Sequence, residues 1–117
     1  MTFRSSHTLE KRLQESARIR RLYPSRVPVL VEKRPRDKSL PVLDKCKFLV
    51  PNDLTVGQFI YIIRKRMNLA PEKALFMFVN GSLPVTHEMV GIMYDQHKGE
   101  DNFLEVFIAG ENCFGAQ

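Results

Sequence analysis

The apolar positions fall into short blocks whose spacing switches between the helical and the extended period. Leu9, Leu13 and Ala17 recur four residues apart, Ile19 flanks them, and Lys and Arg fill the positions between. Residues 9–22 therefore read as an amphipathic helix, capped by Thr8 and stopped by Pro24. Its stripe is narrow, which predicts a helix lying on a surface and not building a core. Residues 27–33, VPVLVEK, read as a strand whose Val29-Leu30-Val31 run is apolar on both faces, as in the middle of a sheet. Residues 34–46 carry two prolines and mixed charge and read as a connection. Residues 47–51, KFLVP, read as a second, short strand able to pair antiparallel with the first.

The next block is a second helix. Thr55-Val56-Gly57-Gln58 fits a capping box, Phe59, Ile62, Ile63 and Met67 follow on one face, and Arg64, Lys65 and Arg66 complement the dipole at its end. Residues 75–79, LFMFV, read as a buried strand, followed by the tight-turn pair Asn80-Gly81. Residues 87–98 read as a helix with Thr86 as cap and Met89, Ile92 and Met93 inward, against which Gly91 counts. Residues 103–108 alternate as a strand, with Leu104, Val106 and Ile108 on one face. This order predicts an α+β chain. A four-stranded mixed sheet grips one main helix, the β-grasp pattern of ubiquitin-like domains. The N-terminal helical extension would span residues 1–26, the β-grasp core 27–109 and a C-terminal tail 110–117.

Composition narrows the function. A chain of 117 residues, 44% hydrophobic and 26% charged, suits one domain with one core. No apolar run approaches the roughly 18 residues that span a bilayer, and MTFRSSHTLEKR lacks the apolar stretch of a secretory signal. The expectation is a cytosolic or nuclear protein. Cys46 and Cys113 then read as ordinary thiols, too few for a disulfide framework or, with His7, His87 and His97 scattered, for a zinc site. The net charge of +5 is uneven, about +8 over residues 1–50 and −3 over residues 51–117. A basic half points to an acidic peptide, an acidic protein tail, nucleic acid or an anionic membrane. Arg18, Arg20, Arg21 and Arg26 near Tyr23 are the residues that could hold phosphate and stack a base. No nucleic-acid motif surrounds them, and a solvated helix face explains them more simply.

An enzyme is not expected. The six glycines never cluster into a phosphate loop, and no serine sits in a nucleophile elbow. Cys113 lies five residues from the C-terminus, where a preorganised base such as His97 and an oxyanion hole are not expected. The tail holds a sharper signal. Phe114-Gly115 follows the last strand by a short polar segment, with only Ala116 and Gln117 beyond. A modifier whose carboxylate is adenylated, passed to a thiol and attacked by an amine needs a terminal glycine, because a side chain would obstruct each narrow cleft.

The stretches FLVPNDLTVGQFIYIIRKR at 48–66, PEKALFMFVNGSLP at 71–84 and GENCFG at 110–115 resemble the autophagy-related protein 8 family. These are the ubiquitin-like modifiers that include GABARAP and the microtubule-associated protein light chains. The resemblance runs over nearly the whole chain. It implies that Phe114, Gly115 and Ala116 form a processing site at which a cysteine protease cuts after Gly115. E1-like and E2-like enzymes would then join Gly115 to phosphatidylethanolamine. No cofactor is implied beyond that covalent lipid, which anchors the domain to a membrane.

The resemblance also implies recognition of aromatic-x-x-aliphatic motifs of cargo receptors, added as a strand along residues 47–50. An aromatic pocket would be lined by Glu15, Ile19, Pro28, Lys47, Leu49 and Phe103. An aliphatic pocket would be lined by Phe48, Val50, Pro51, Leu54, Phe59, Ile62 and Ile63. Lys45, Lys47 and Arg66 would meet acidic groups of the ligand. Read from the residues alone, the apolar positions are plain core and the lysines protect an edge. The chain departs from the family's pattern at Thr8, Cys46, Phe48 and Glu105. The expected location is cytoplasmic, and the autophagosomal membrane when lipidated. The alternative is a non-conjugated adaptor that binds microtubules or nucleic acid through the basic half.

Overall fold

The computed structural model describes residues 2–111. Among them, two helices lead into the sheet: α1 (Phe3–Ser6) and α2 (Leu9–Leu22). Strands β1 (Arg26–Lys33) and β2 (Lys47–Pro51) follow, then α3 (Val56–Met67), β3 (Phe76–Phe78), α4 (Val90–His97) and β4 (Leu104–Ala109). The strand order is β2-β1-β4-β3, with β1 and β4 parallel at the centre and both outer pairs antiparallel. This is the expected β-grasp arrangement. Helix bounds at 9–22 and strand bounds at 47–51 coincide with those read from the sequence.

Local chemistry accounts for several of these elements. Thr8 caps α2 by accepting the Lys11 N–H, and Thr55 with Gln58 forms the reciprocal capping box of α3. Asn68 ends α3 in the left-handed region at φ 53°. Asn80 and Gly81 both have positive φ, 51° and 78°, as a two-residue hairpin turn with a primed geometry requires. Val79 and Ser82 exchange backbone hydrogen bonds across it.

The main core lies on one face of the sheet. Val29 and Val31 of β1, Phe48 and Val50 of β2, and Leu104, Val106 and Ile108 of β4 pack against Phe59, Ile63 and Met67 of α3. Leu30, between the two valines, turns to the opposite face and joins Ile19 and Phe103 in a second, smaller cluster. Both faces of β1 are thus buried, as its continuous apolar run predicts.

Three expectations fail. Helix α4 begins at Val90 and not at His87, and Thr86 does not cap it; Met89 holds the cap position without a side-chain bond. The reason is long-range: the Thr86 and Glu88 carbonyls accept the Gly57 and Val56 N–H groups, and the Leu54 carbonyl accepts the Val90 N–H. These bonds pin residues 86–89, a turn closed by the Glu88 N–H on the Val85 carbonyl at 3.2 Å, against the start of α3. The buried stripe of α4 is consequently Val90, Met93 and Tyr94, and Met89 and Ile92 are each 47% exposed. In α2 the buried residues are Ser16 and Ile19, not Leu9, Leu13 and Ala17. In α3 the inward face is Val56, Phe59, Ile63 and Met67, and Ile62 is 41% exposed.

Gly91, which argued against a helix, has a packing role. Its N–H donates to the Asn52 carbonyl at 2.9 Å, and a Cβ there would sit 2.9 Å from that same oxygen. Ala in a helix interior ordinarily gains about 1 kcal/mol over Gly. Here the clash is with backbone and costs about 1–3 kcal/mol. Gly91→Ala is expected to lower the urea midpoint at an unchanged slope; a raised midpoint would contradict the packing.

Candidate functional site: a free sheet edge between two apolar clusters

Strand β2 is an edge of the sheet. The Val31 N–H donates to the Cys46 carbonyl at 2.7 Å and the Asn52 N–H to the Ser25 carbonyl at 2.9 Å. Given the register Val29↔Phe48 and Val27↔Val50, the hydrogen-bonded pairs are the odd positions of β1. The main-chain groups of Lys47 and Leu49 therefore point away from β1, outward along the edge. Pro28, opposite Leu49, needs no N–H toward β2, and pairing with β4 starts only at Val29. Proline thus costs no ladder bond where it stands.

Side chains alternate across this strand. Phe48 and Val50 enter the main core at 6% and 3% exposure. Lys47 and Leu49 turn to the other face, where Leu49 packs on Ile19, Leu30 and Phe103 with Phe3 of α1. The Phe3 ring meets Phe103 edge-on at 5.2 Å and stacks on His7 at 4.4 Å. Lys47 pairs with Glu15, and its Nζ lies 5.3 Å from the Phe3 ring. The hydrogen bond from Lys47 is the main force holding the Glu15 carboxyl below its ordinary value, against the opposing effect of burial.

The residues expected in the aromatic pocket thus gather around one small cluster: Ile19, Leu49 and Phe103 at its centre, Lys47 and Glu15 beside it, and Pro28 next to Leu49 in register. Those expected in the aliphatic pocket divide by depth. Phe48, Val50, Phe59 and Ile63 belong to the main core, Leu54 packs against it half-buried, and Pro51 is half-buried. Ile62 is exposed on α3. Of the three cations, Lys45 lies 5.1 Å over the Phe48 ring and has no carboxylate partner among the described residues. Arg66 bonds Asp44 at 3.0 Å. The sequence did not place Phe3 and Leu30 at this site, and Arg26 read there only as a possible phosphate-holding residue. Arg26 donates through Nη1 to the Leu49 carbonyl at 3.0 Å, so one outward acceptor of the edge is already covered by a side chain. Residues 113–116, with Phe114 and Gly115, lie outside the described residues.

Such an edge can accept an extended chain through main-chain bonds and seat its alternate side chains in flanking apolar hollows. No group of three or more metal-ligating side chains is assembled among the described residues.

Comparison with known proteins agrees with this architecture. The family model described as autophagy protein Atg8, ubiquitin-like, matches residues 11–115. Autophagy-related protein 8 of Mycosarcoma maydis is 54% identical over 113 residues, covering 97% of this chain and 95% of that one. Autophagy-related protein 8d of Arabidopsis thaliana is 52% identical over 114 residues, covering 97% and 94%. The crystal structure of Trypanosoma brucei ATG8 superposes with a TM-score of 0.88 at 40% identity over 98% of each chain. With a shared fold, a full-length match and identity above one half, the chain belongs to the Atg8 family of ubiquitin-like autophagy proteins.

Proposed function

We propose that this chain is a modifier cut after Gly115 and joined through that glycine to phosphatidylethanolamine. On the membrane it then serves as an adaptor that captures short aromatic-x-x-aliphatic segments of cargo receptors. The observation that supports capture most directly is the free β2 edge, whose consecutive residues turn to two different apolar clusters. An added strand has the same period, so its aromatic residue would reach the Ile19, Leu49 and Phe103 side. Its aliphatic residue, three positions on, would meet Leu54, Pro51 and Ile62 over the Val50 and Ile63 floor. Lys45, Lys47 and Arg66 would receive flanking acidic groups, Lys47 and Arg66 by exchanging their present carboxylates for the ligand's.

In the conjugation steps the chain is substrate and not catalyst. Its partners would be the processing cysteine protease and the E1-like and E2-like enzymes. No helix among the described residues is long and apolar enough to cross a membrane. The attached lipid would supply the anchor, each buried CH₂ contributing about 0.8 kcal/mol. The protein would divide between the cytoplasm and the autophagosomal membrane.

Calorimetric titration with a Trp-x-x-Leu peptide flanked by acidic residues tests the capture reading. Leu49→Ala removes apolar surface at the edge of the small cluster while leaving the main core untouched. It is expected to weaken binding about tenfold, the worth of a half-buried leucine side chain, with unfolding still cooperative. Equal affinities for the two chains would sink the pocket assignment.

A further inference from the structure

The connection between β1 and β2 wraps the end of β4 and grips the root of the C-terminal tail. The Asp37 carboxylate does this by accepting four hydrogen bonds. Oδ1 receives the Ser39 N–H at 2.9 Å, the Ser39 hydroxyl at 3.0 Å and the Leu40 N–H at 3.0 Å. Oδ2 receives the Gly110 N–H at 2.7 Å from the far end of the chain. Ser39 packs so closely on Gly110 that a Cβ on the glycine would clash with Ser39 Oγ. Leu40 is buried beneath this clasp, and Ser39 is exposed above it.

The residues around the clasp carry a second pattern. Arg34 and Arg36 stand five and three residues before Ser39, and apolar Leu40 follows it. Two guanidinium groups at that spacing are what the acidic substrate grooves of arginine-directed serine/threonine kinases select, by charge complementarity. We propose that Ser39 is a phosphorylation site for such a kinase and that the phosphoryl group opens the clasp that holds Gly110.

The transfer is an ordinary one. The γ-phosphoryl of ATP forms a bond to Ser39 Oγ as its bond to the β-phosphate oxygen breaks. ADP leaves, and the hydroxyl proton passes to the kinase's catalytic carboxylate. The product cannot keep the observed bonding. Oγ loses the hydrogen it donates to Asp37, and about −1.5 to −2 units of charge arrive beside that carboxylate. Oγ also lies against the Gly110 backbone, so the added charge arrives next to the residue the clasp holds. Arg34, Arg36 and Lys38 offer the phosphate better partners in the same segment. Arg34 now lies 4.1 Å over the Phe78 ring, so a kinase must catch the turn in a locally opened state. Clasp and kinase compete for one segment.

The consequence for the tail rests on the function proposed above. Only residues 111–114 separate Gly110 from Gly115, so freeing Gly110 loosens the point from which the segment that the protease must seat leaves the sheet. The purified full chain, an arginine-directed kinase and Mg-ATP suffice for the test. One phosphoryl group is expected on Ser39 by intact mass and fragmentation, none on Ser39→Ala, and about tenfold slower labelling of Arg36→Ala, the loss of one charge-assisted contact. Asp37→Ala, with the clasp loosened, is expected to label faster. On phosphorylation the Gly110 amide is expected to exchange about tenfold faster by NMR, since a bond to a charged acceptor is lost. A wild-type chain that stays unlabelled while the same sequence is labelled as a free peptide would overturn the proposal. So would an unchanged Gly110 amide. Processing kinetics separate the two readings: the phosphorylated chain is expected to show a KM raised several-fold with kcat little changed. Equal cutting of both forms would overturn the link to the tail, whereas an uncut unphosphorylated chain would overturn the modifier reading itself.

Discussion

Asp101→Ala is expected to destabilise the fold by about 2–3 kcal/mol and to lower the melting temperature by about 10 °C. Asp101 is fully buried, yet it receives Arg4 Nε and Nη2 at 2.9 Å each and Arg12 Nη1 at 2.8 Å. Its own Oδ1 also accepts the Phe103 N–H at 3.0 Å, and its carbonyl takes the Ser16 hydroxyl at 2.7 Å. One carboxylate thus ties α1, α2 and the entry to β4 together. Removing it leaves the Arg4 and Arg12 guanidinium groups without their shared carboxylate and the Phe103 N–H without its acceptor. The two arginine side chains are 28% and 15% exposed, so each can recover some water, which places the cost at the lower end for a broken buried pair. Arg4→Ala should cost less, about 1 kcal/mol, because Arg12 still neutralises Asp101. That variant also releases Glu105, which Arg4 bonds at 2.8 Å.

The pH dependence has a definite sign. Burial alone would raise the Asp101 carboxyl, but hydrogen bonds from Arg4, the Phe103 N–H and Arg12 outweigh it and hold the group below its ordinary range. A depressed folded-state value contributes stability that is fully present above the unfolded value of about 4 and is lost as pH falls through the folded value. The stability gap between wild type and Asp101→Ala should therefore be constant near neutrality and close below about pH 4. Urea unfolding across that range measures it, and a gap that persists at low pH would mean that the carboxylate's charge is not what holds α1 and α2 down.

This latch also explains which parts of the fold the sequence announces. The capping box at Thr55 and Gln58, the Asn80-Gly81 turn and the KFLVP strand are written in neighbouring residues, and each stands where reading placed it. Helix α2 is equally plain as a helix, but its docking face is not. It docks through Ser16 and Arg12 as much as through Ile19, and an apolar-stripe argument cannot see a hydroxyl and a guanidinium aimed at Asp101, 85 and 89 positions away. Helix α4 slips for the same kind of reason. Two apolar triplets, 89/92/93 and 90/93/94, fit its period equally well, and only the bonds from α3 to residues 86 and 88 choose the second. At the candidate site, alternation along KFLVP tells that Phe48 and Val50 share one face and Leu49 the other. Phe3 reaches Leu49 only through the folding of α1, a four-residue helix with no periodic signal of its own.

Gly115→Ala is expected to reduce the membrane-bound fraction of the protein to background in cells that carry out conjugation. This expectation follows from the chemistry of a carboxyl terminus that is activated and transferred, as the proposed function requires. Adenylation, thioester formation and aminolysis each bring an enzyme's backbone and nucleophile against the terminal residue, and glycine alone presents no Cβ to those approaches. The folded domain should not notice the change, because five residues separate Gly115 from Ala109 at the end of β4. Unfolding curves of the two chains should therefore superimpose, and Trp-x-x-Leu peptide should bind both alike. Intact-mass analysis of separated soluble and membrane fractions gives the decisive reading. Wild type should yield a soluble species lacking Ala116 and Gln117 and a membrane species heavier than it by one phosphatidylethanolamine less one water. Gly115→Ala should yield only soluble forms. If wild type is recovered full-length and unmodified from both fractions under starvation, the conjugation reading falls. The basic face of α2, with Arg18, Arg20 and Arg21, then becomes the surface to reverse in charge, as a non-conjugated adaptor would require.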